Sequence, residues 1–426
     1  MITLIKNAIV VTMDEERDKK YEKLDIVIED DMIKELTVDY NGSYDKLIDA
    51  LGKVVMPGLI NCHTHLGMSI FRATNDSLTL DKWLKEKIWP IEDKLTDNDI
   101  YYTTLLSCIE MIKSGTTMSN DMYYNCQGSL KAIKECFVRS MFSRCLMDSD
   151  GQGDKRIQEL IDLYNDNANQ DLITFSVSPH AIYTCSYEYL IKCRELAEKL
   201  NLLIHIHFCE NMEEVNNIKN KYHKSPVSLL KELGYLDNKL ILAHATYISE
   251  QELEELKDKD VSFVHNPISN LNLGCGIADV AKYMKYVNVA IGTDGQGSGN
   301  NLNLFKHMSY VDLLQKGIYK DPTILSSYDV LKMATINGAV AVGMEDKIGS
   351  IKVGKKADII ILNLDNVETY PSQDLITNIV HNVDSLNVDT TIINGKILME
   401  NHKLKINIDE ERIKDEIKLI LNKYNF

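Results

Sequence analysis

Arginine is scarce in this chain, with seven among 47 Lys+Arg, against 63 Asp+Glu, for a formal net charge of −16 over 426 residues. A surface of that sign repels phosphate, so nucleic acid is excluded as the expected partner. Long apolar runs are missing too. None approaches the roughly 20 residues of a membrane span, and Lys6 interrupts the apolar start before a signal-peptide core can form. The nine cysteines are odd in number and lack Cys-x-x-Cys spacing, which argues against a disulfide framework and a thiolate zinc site. Prolines number only seven, no low-complexity stretch or fixed-period repeat occurs, and an apolar content of 44% excludes disorder. A soluble cytoplasmic protein of one large or two medium domains is expected, with no membrane partner. Whether it forms a homo-oligomer is left open.

What the chain does have is a change of period. Up to residue 56 it reads as short strands and tight turns, with Leu4–Thr12, Asp25–Glu29 and Met32–Thr37 apolar or alternating and Glu29-Asp30-Asp31 as a hairpin tip. From about residue 58 to 345, β-rich runs alternate with helical patterns. The strand candidates are Gly58–Cys62, Thr116–Asp121, Arg139–Leu146, Ile173–Val177, Leu202–Phe208, Leu240–Ala243, Val261–Val264 and Val287–Ile291. Eight strands alternating with helices over nearly 300 residues favour an α/β fold of the (β/α)8 TIM-barrel type over an open doubly wound sheet. Strand signals return after Lys352, with Asn394-Gly395 as a two-residue hairpin turn. Residues 1–56 and 350–426 are therefore expected to pair into one small β-sandwich flanking a barrel of residues 57–349. The helical face of Ile413, Ile417, Ile420 and Leu421 reads as a packing surface of a terminal helix.

The strongest local signal is His63-Thr64-His65, placed after the run Leu59-Ile60-Asn61-Cys62. Residues i and i+2 of a strand point to one side, so both imidazoles can face one ion, and functional groups of a barrel sit at the C-terminal ends of its strands. Other such ends carry His207, His244 and Asp294, with Glu210 three residues beyond His207. Each alone reads as an ordinary strand–loop residue; together at separate strand ends they suit a catalytic zinc or iron site with an open position. A metal-bound water has its pKa lowered to roughly 7. Glu210 would then shuttle protons, and Asp294 could bind metal and hold the water.

At this point the chain resembles the amidohydrolase superfamily, in its mononuclear deaminase branch. The matching text is Met56-Pro57-Gly58-Leu59-Ile60-Asn61-Cys62-His63-Thr64-His65, Ser114-Gly115-Thr116-Thr117, His207-Phe208-Cys209-Glu210, His244, His265-Asn266-Pro267-Ile268-Ser269-Asn270 and Gly292-Thr293-Asp294-Gly295. The resemblance implies metal ligands at His63, His65, His207 and Asp294, Glu210 as general acid/base and His244 orienting the attacking water or leaving group. It implies one divalent ion per subunit, zinc with iron as the alternative. It further implies hydrolytic deamination of the adenine ring of 5′-substituted adenosines such as methylthioadenosine or S-adenosylhomocysteine. For that small-molecule substrate it assigns Trp83 as a wall, Glu92 to the ribose hydroxyls, His180 as a substrate contact, and Arg144 and Arg156 to the distal end.

Several signals read more plainly. Read locally, Glu92 beside Asp93 and Lys94 is a solvated charge, and Arg139 and Arg194 are surface charges. The run Gly295-Gln296-Gly297-Ser298-Gly299 looks like a phosphate loop but lacks the strand–helix context of one. His205 shares the inward face with His207 and suits a supporting hydrogen bond. His265 is left unassigned beside the pocket. Guanine and pterin deaminases and triazine chlorohydrolases remain alternative readings, as does an inactive metal-binding scaffold.

Overall fold

Eight parallel strands build the body of the chain, in a computed structural model that describes residues 1–74, 77–124, 126–167 and 170–426. They are Leu59–Thr64 (β1), Thr116–Tyr123 (β2), Arg139–Leu146 (β3), Ile173–Phe175 (β4), Ile204–Phe208 (β5), Leu240–His244 (β6), Val261–His265 (β7) and Asn288–Ile291 (β8). Nearly every residue in them is buried, as expected of parallel strands covered on both faces. β1 to β4 form one hydrogen-bonded arc, and β5 to β8 form the other.

The arcs join at both seams. On one side Val177 bridges Ile204 and Ala181 bridges His207. On the other, the His63 carbonyl accepts the N–H groups of Thr293 and Asp294 at 3.1 and 3.0 Å. The Asn61 side chain stitches this seam, donating to Thr293 Oγ1 at 2.8 Å and accepting the Thr293 N–H at 3.1 Å. The α/β barrel expected from the alternation is therefore present.

Its fourth strand departs from the single run Ile173–Val177. It breaks after Phe175 and resumes as Ser178–Pro179, paired to β3. Pro179 has no N–H to extend a ladder, and the chain turns there so that the His180 carbonyl faces β5.

The two chain ends meet in one nine-stranded sheet. Its junction is the antiparallel pairing of Ile359–Leu362 with Val54–Pro57, and it wraps its own apolar core around Ile5, Ile26 and Ile361. Asn394 and Gly395 both take positive φ (51° and 72°) in the tight turn between Val388–Ile393 and Lys396–Glu400, as a type I′ turn demands. Gly395 is required there, because a Cβ would lie 2.0 Å from the Asp30 carbonyl oxygen.

Arg139 corrects the surface reading. It is 1% exposed, and its guanidinium grips Asp358 at 2.7 and 3.0 Å, tying β3 to the end sheet. Arg194 does lie outside, against Glu195 and Glu198. The terminal helix Glu410–Tyr424 buries Ile413 and Ile420. No described helix is long and apolar enough to cross a membrane.

Candidate active site

The C-terminal rim of the barrel gathers His65 after β1, His207 in β5, His244 closing β6 and Asp294 after β8 around His63. The donor atoms of His63, His65 and Asp294 all lie within 4.8 Å of one another, as do those of His63, His207 and His244. His65 Nε2 lies 3.2 Å from Asp294 Oδ1 and 3.2 Å from His207 Nε2, and His63 Nε2 lies 3.7 Å from the same carboxylate oxygen. Two of these residues hold a backbone that non-glycine residues rarely adopt, with φ of 72° at His244 and 61° at Asp294. Such conformations cost about 1–3 kcal/mol each and persist where the surroundings impose them.

Hydrogen bonds fix how each ring faces the centre. His65 Nδ1 donates to the Met122 carbonyl at 2.6 Å, and His207 Nδ1 donates to the His180 carbonyl at 2.7 Å. A carbonyl can only accept, so the Nε2 atoms of the neutral rings carry lone pairs, and these face one another. His63 Nδ1 is engaged by His205 Nε2 at 2.9 Å, while its own Nε2 is buried without a partner. Burial, then the neighbouring imidazoles, hold His63 and His207 well below the usual histidine range. Burial also works against charge on His65, yet Asp294 and the Met122 carbonyl outweigh it and push its pKa up to about 9, so a cation binding here would displace the proton from His65 Nε2 and leave that ring neutral. Converging lone pairs beside one carboxylate call for a cation at this point, and the nitrogen and oxygen donors suit zinc or iron.

Asp294 is itself held. Its Oδ2 accepts from the hydroxyls of Ser269 and Ser298 at 2.7 and 2.8 Å, and its Oδ1 from the Gly295 N–H at 2.7 Å. Glu210 lies beside this cluster, buried, with Oε1 3.9 Å from His244 Nδ1 and 3.6 Å from the Cys275 sulfur, which donates to it. Burial raises its pKa. His244 Nδ1 is bonded to Asn270 Oδ1 at 2.7 Å, which leaves the buried Nε2 unpartnered with its lone pair free.

A cavity with about 570 Å³ of empty space opens over the cluster, lined by His65, His207, Glu210, His244 and Asp294 and also by Trp83, Glu92 and His180. Trp83 and Glu92 come from consecutive helical turns, Leu80–Trp83, a π turn Leu84–Ile88, and Trp89–Glu92. A π turn widens a helix locally, a feature frequent at functional sites. The Glu92 Oε1 is buried without a partner, and burial pushes its pKa up to about 7. His180 Nδ1 bonds the Thr184 hydroxyl at 3.0 Å.

Arg144 and Arg156 lie farther out. They line a cleft of about 1000 Å³ that shares Trp89, Glu92 and Tyr124 with the first cavity. Neither guanidinium is free. Arg144 Nε donates to Glu159 at 2.8 Å, and Arg156 donates through both terminal nitrogens to Asp150 at 2.6 and 2.5 Å.

Residues 54–398 match the Amidohydrolase family. This chain belongs to the amidohydrolase family. Among its relatives is a 5-methylthioadenosine/S-adenosylhomocysteine deaminase of Thermoanaerobacter pseudethanolicus, 42% identical over 97% of each chain. A 5′-deoxyadenosine deaminase of Methanosarcina acetivorans is 39% identical over 97% of this chain and 96% of its own. Among solved structures, an adenosine deaminase of Xanthomonas campestris with bound zinc superimposes with a TM-score of 0.94 at 29% identity, covering 99% of this chain and 98% of the other.

The structure of this amidohydrolase also gives partners and places to residues that the sequence left without an assigned role. His205 supports His63, not His207; the alternation His205-x-His207 carried that signal, but only the β1–β5 contact names the partner. Ser269 and Ser298 anchor Asp294 from short helices after β7 and β8. The Asp121 carboxyl is buried beside β1, accepts the Leu66 N–H at 2.8 Å, and is pushed by burial to about 7. His265 closes β7 but is not part of the cavity wall, and both its ring nitrogens are buried without partners. Ser298 belongs to the glycine-rich run, which forms one short helical turn, Gln296–Gly299, and serves Asp294.

Proposed function

We propose that this amidohydrolase hydrolyses the exocyclic amine from the adenine ring of 5′-substituted adenosines, methylthioadenosine and S-adenosylhomocysteine among them, and that it uses one zinc ion per subunit, with iron as the alternative. The observation that carries the reading is one cavity whose wall includes both the imidazole–carboxylate cluster with Glu210 and the buried Glu92, whose Oε1 has no hydrogen-bond partner. Relatives about 40% identical over nearly the whole chain carry deaminase names for this substrate class.

His63, His65, His207 and Asp294 would hold the ion. When bound, such an ion supplies a water acidic enough to attack at neutral pH. Glu210 delivers a proton to ring N1 as the water oxygen adds to C6, which balances charge in the tetrahedral centre. Glu210 then passes one proton taken from the water to the amino group, ammonia leaves with the C–N bonding pair, and the remaining water proton returns to Glu210 as the C6 carbonyl forms, so a hypoxanthine nucleoside remains and the acid is restored. His244, its Nδ1 hydrogen committed to Asn270, offers Nε2 as an acceptor that orients the attacking water or the departing amine. Trp83 walls the base, His180 contacts substrate, and the two oxygens of Glu92 accept from the 2′- and 3′-hydroxyls.

Ammonia release from methylthioadenosine, S-adenosylhomocysteine, adenosine, guanine and a chlorotriazine tests the reading. The 5′-substituted adenosines are expected to react fastest, and a preference for guanine or the triazine would overturn it. Glu92→Ala should lower kcat/KM for nucleosides by about 10²-fold or more, since two hydrogen bonds to a charged group are lost. Free adenine should be nearly unaffected; equal losses would refute the ribose contact.

The distal tail is read in the cleft that follows Glu92. Each arginine there already has an acidic partner, so a substrate carboxylate must share its guanidinium. Arg156→Ala is expected to lower kcat/KM for S-adenosylhomocysteine roughly tenfold more than for methylthioadenosine, about the worth of one charge-assisted hydrogen bond. Equal losses on both substrates would remove Arg156 from tail recognition.

A further inference from the structure

Glu210 does not reach its place by strand geometry alone. After β5 the chain turns at Cys209, whose φ of 48° lies in the left-handed region, and Glu210 follows that turn. The next helix, Met212–Tyr222, begins one residue beyond Asn211. From its first turn the Glu214 side chain folds back, and Oε2 accepts the Glu210 N–H at 2.9 Å. Glu214 is 4% exposed, and its Oε1 is buried without a partner.

Burying a carboxyl in this way is costly without a compensating bond. Helix capping does not account for it, because the Asn211 side chain already caps this helix by accepting the Glu214 N–H at 2.8 Å. The bond from Glu214 serves the turn instead. Burial pushes the Glu214 pKa up to about 8, so a neutral amide is a close mimic of its prevailing form at neutral pH.

We infer that Glu214 is a positioning residue, which holds the backbone N–H of Glu210 and so fixes the direction in which the Glu210 carboxyl enters the cavity. The inference rests on the general acid/base reading of Glu210 given above. A proton-transfer group displaced by about 1 Å loses on the order of 10² in rate, with little effect on ground-state binding.

The test measures kcat and KM for methylthioadenosine on zinc-loaded Glu214→Ala, Glu214→Asp and Glu214→Gln, together with metal content. Glu214→Ala removes the acceptor, Glu214→Asp withdraws it by one methylene, and Glu214→Gln restores an oxygen at the same reach. Expected are a fall in kcat of about 10- to 100-fold for Ala, a smaller fall for Asp, and recovery to near the parent rate for Gln. KM and metal content should stay near the parent values in all three. Glu210→Gln combined with Glu214→Ala should be no slower than Glu210→Gln alone, because a residue acting through Glu210 has nothing left to position.

Unchanged kcat in Glu214→Ala overturns the inference, as do a loss appearing in KM or metal content and additive losses in the double variant. Should Glu214→Ala not fold, the ordering of the Asp and Gln variants decides in the same way. Near-normal turnover by Glu210→Gln would overturn the acid/base reading itself. An inactive Glu210→Gln beside a fully active Glu214→Ala would overturn the positioning role alone.

Discussion

Glu210→Gln is expected to leave a folded, metal-loaded protein that still binds nucleosides and turns over about 10²–10⁴-fold more slowly, the usual contribution of a positioned acid/base. Glutamine matches glutamate in size and keeps an oxygen for the Cys275 thiol, so packing around the cluster is preserved. What it loses is a group able to bind and release a proton. That ability is tuned here, since burial raises the Glu210 pKa and brings it closer to neutrality, where a general acid is both protonated and able to transfer. The acid limb that Glu210 contributes to the rate profile should vanish with it. Ammonia release gives the rate, elemental analysis the metal, and titration with the inosine-type product the binding. Loss of metal in step with rate would make Glu210 part of the ion's support; a near-normal rate would remove its proton-transfer role.

Legibility of the chain depended on how local each determinant is. The barrel strands could be read because burial on both faces makes each one a short apolar run bounded by polar loops. His63-x-His65 could be read because a two-residue period is a property of the strand itself. Glu92 could not be read locally. Beside Asp93 and Lys94 it looks solvated, and only the packing of the turns Leu80–Glu92 over the rim buries it, so the family resemblance alone picked it out. Arg139 misled for the same reason, since its partner Asp358 lies 219 residues along the chain and no window spans that distance. Ser269, Ser298 and Glu214 act by hydrogen bonds formed once the helices after β7, β8 and β5 are placed, and serine or glutamate in a first helical turn carries no distinctive pattern. The break in β4 after Phe175 had no local signal, since Ser176 and Val177 continue the run read as one strand.

Asp294→Asn should lower zinc affinity by at least about 10²-fold, since even changes to the partners of ligands cost 10- to 100-fold, and activity should fall in proportion to metal content. The argument lies in the donors around the carboxylate. Two serine hydroxyls point hydrogens at Oδ2, and the Gly295 N–H points one at Oδ1. An asparagine must turn its NH₂ group either toward those donors or toward the imidazole lone pairs, and each choice sets a donor against a donor or a cation. Asp294 also carries the negative charge that faces the histidine cluster, and without it a divalent ion held among neutral rings loses the carboxylate nearest to it. Chelation of the parent protein should abolish ammonia release, and added zinc should restore it. Metal present at about a thousand times its Kd adds about 4 kcal/mol to stability, so the chelated parent should melt at lower temperature and recover with zinc, whereas Asp294→Asn should respond weakly to the same addition. Full activity in a chelated protein free of detectable metal would break the link between this cluster and the chemistry. A melting shift without any change in rate would make the ion structural.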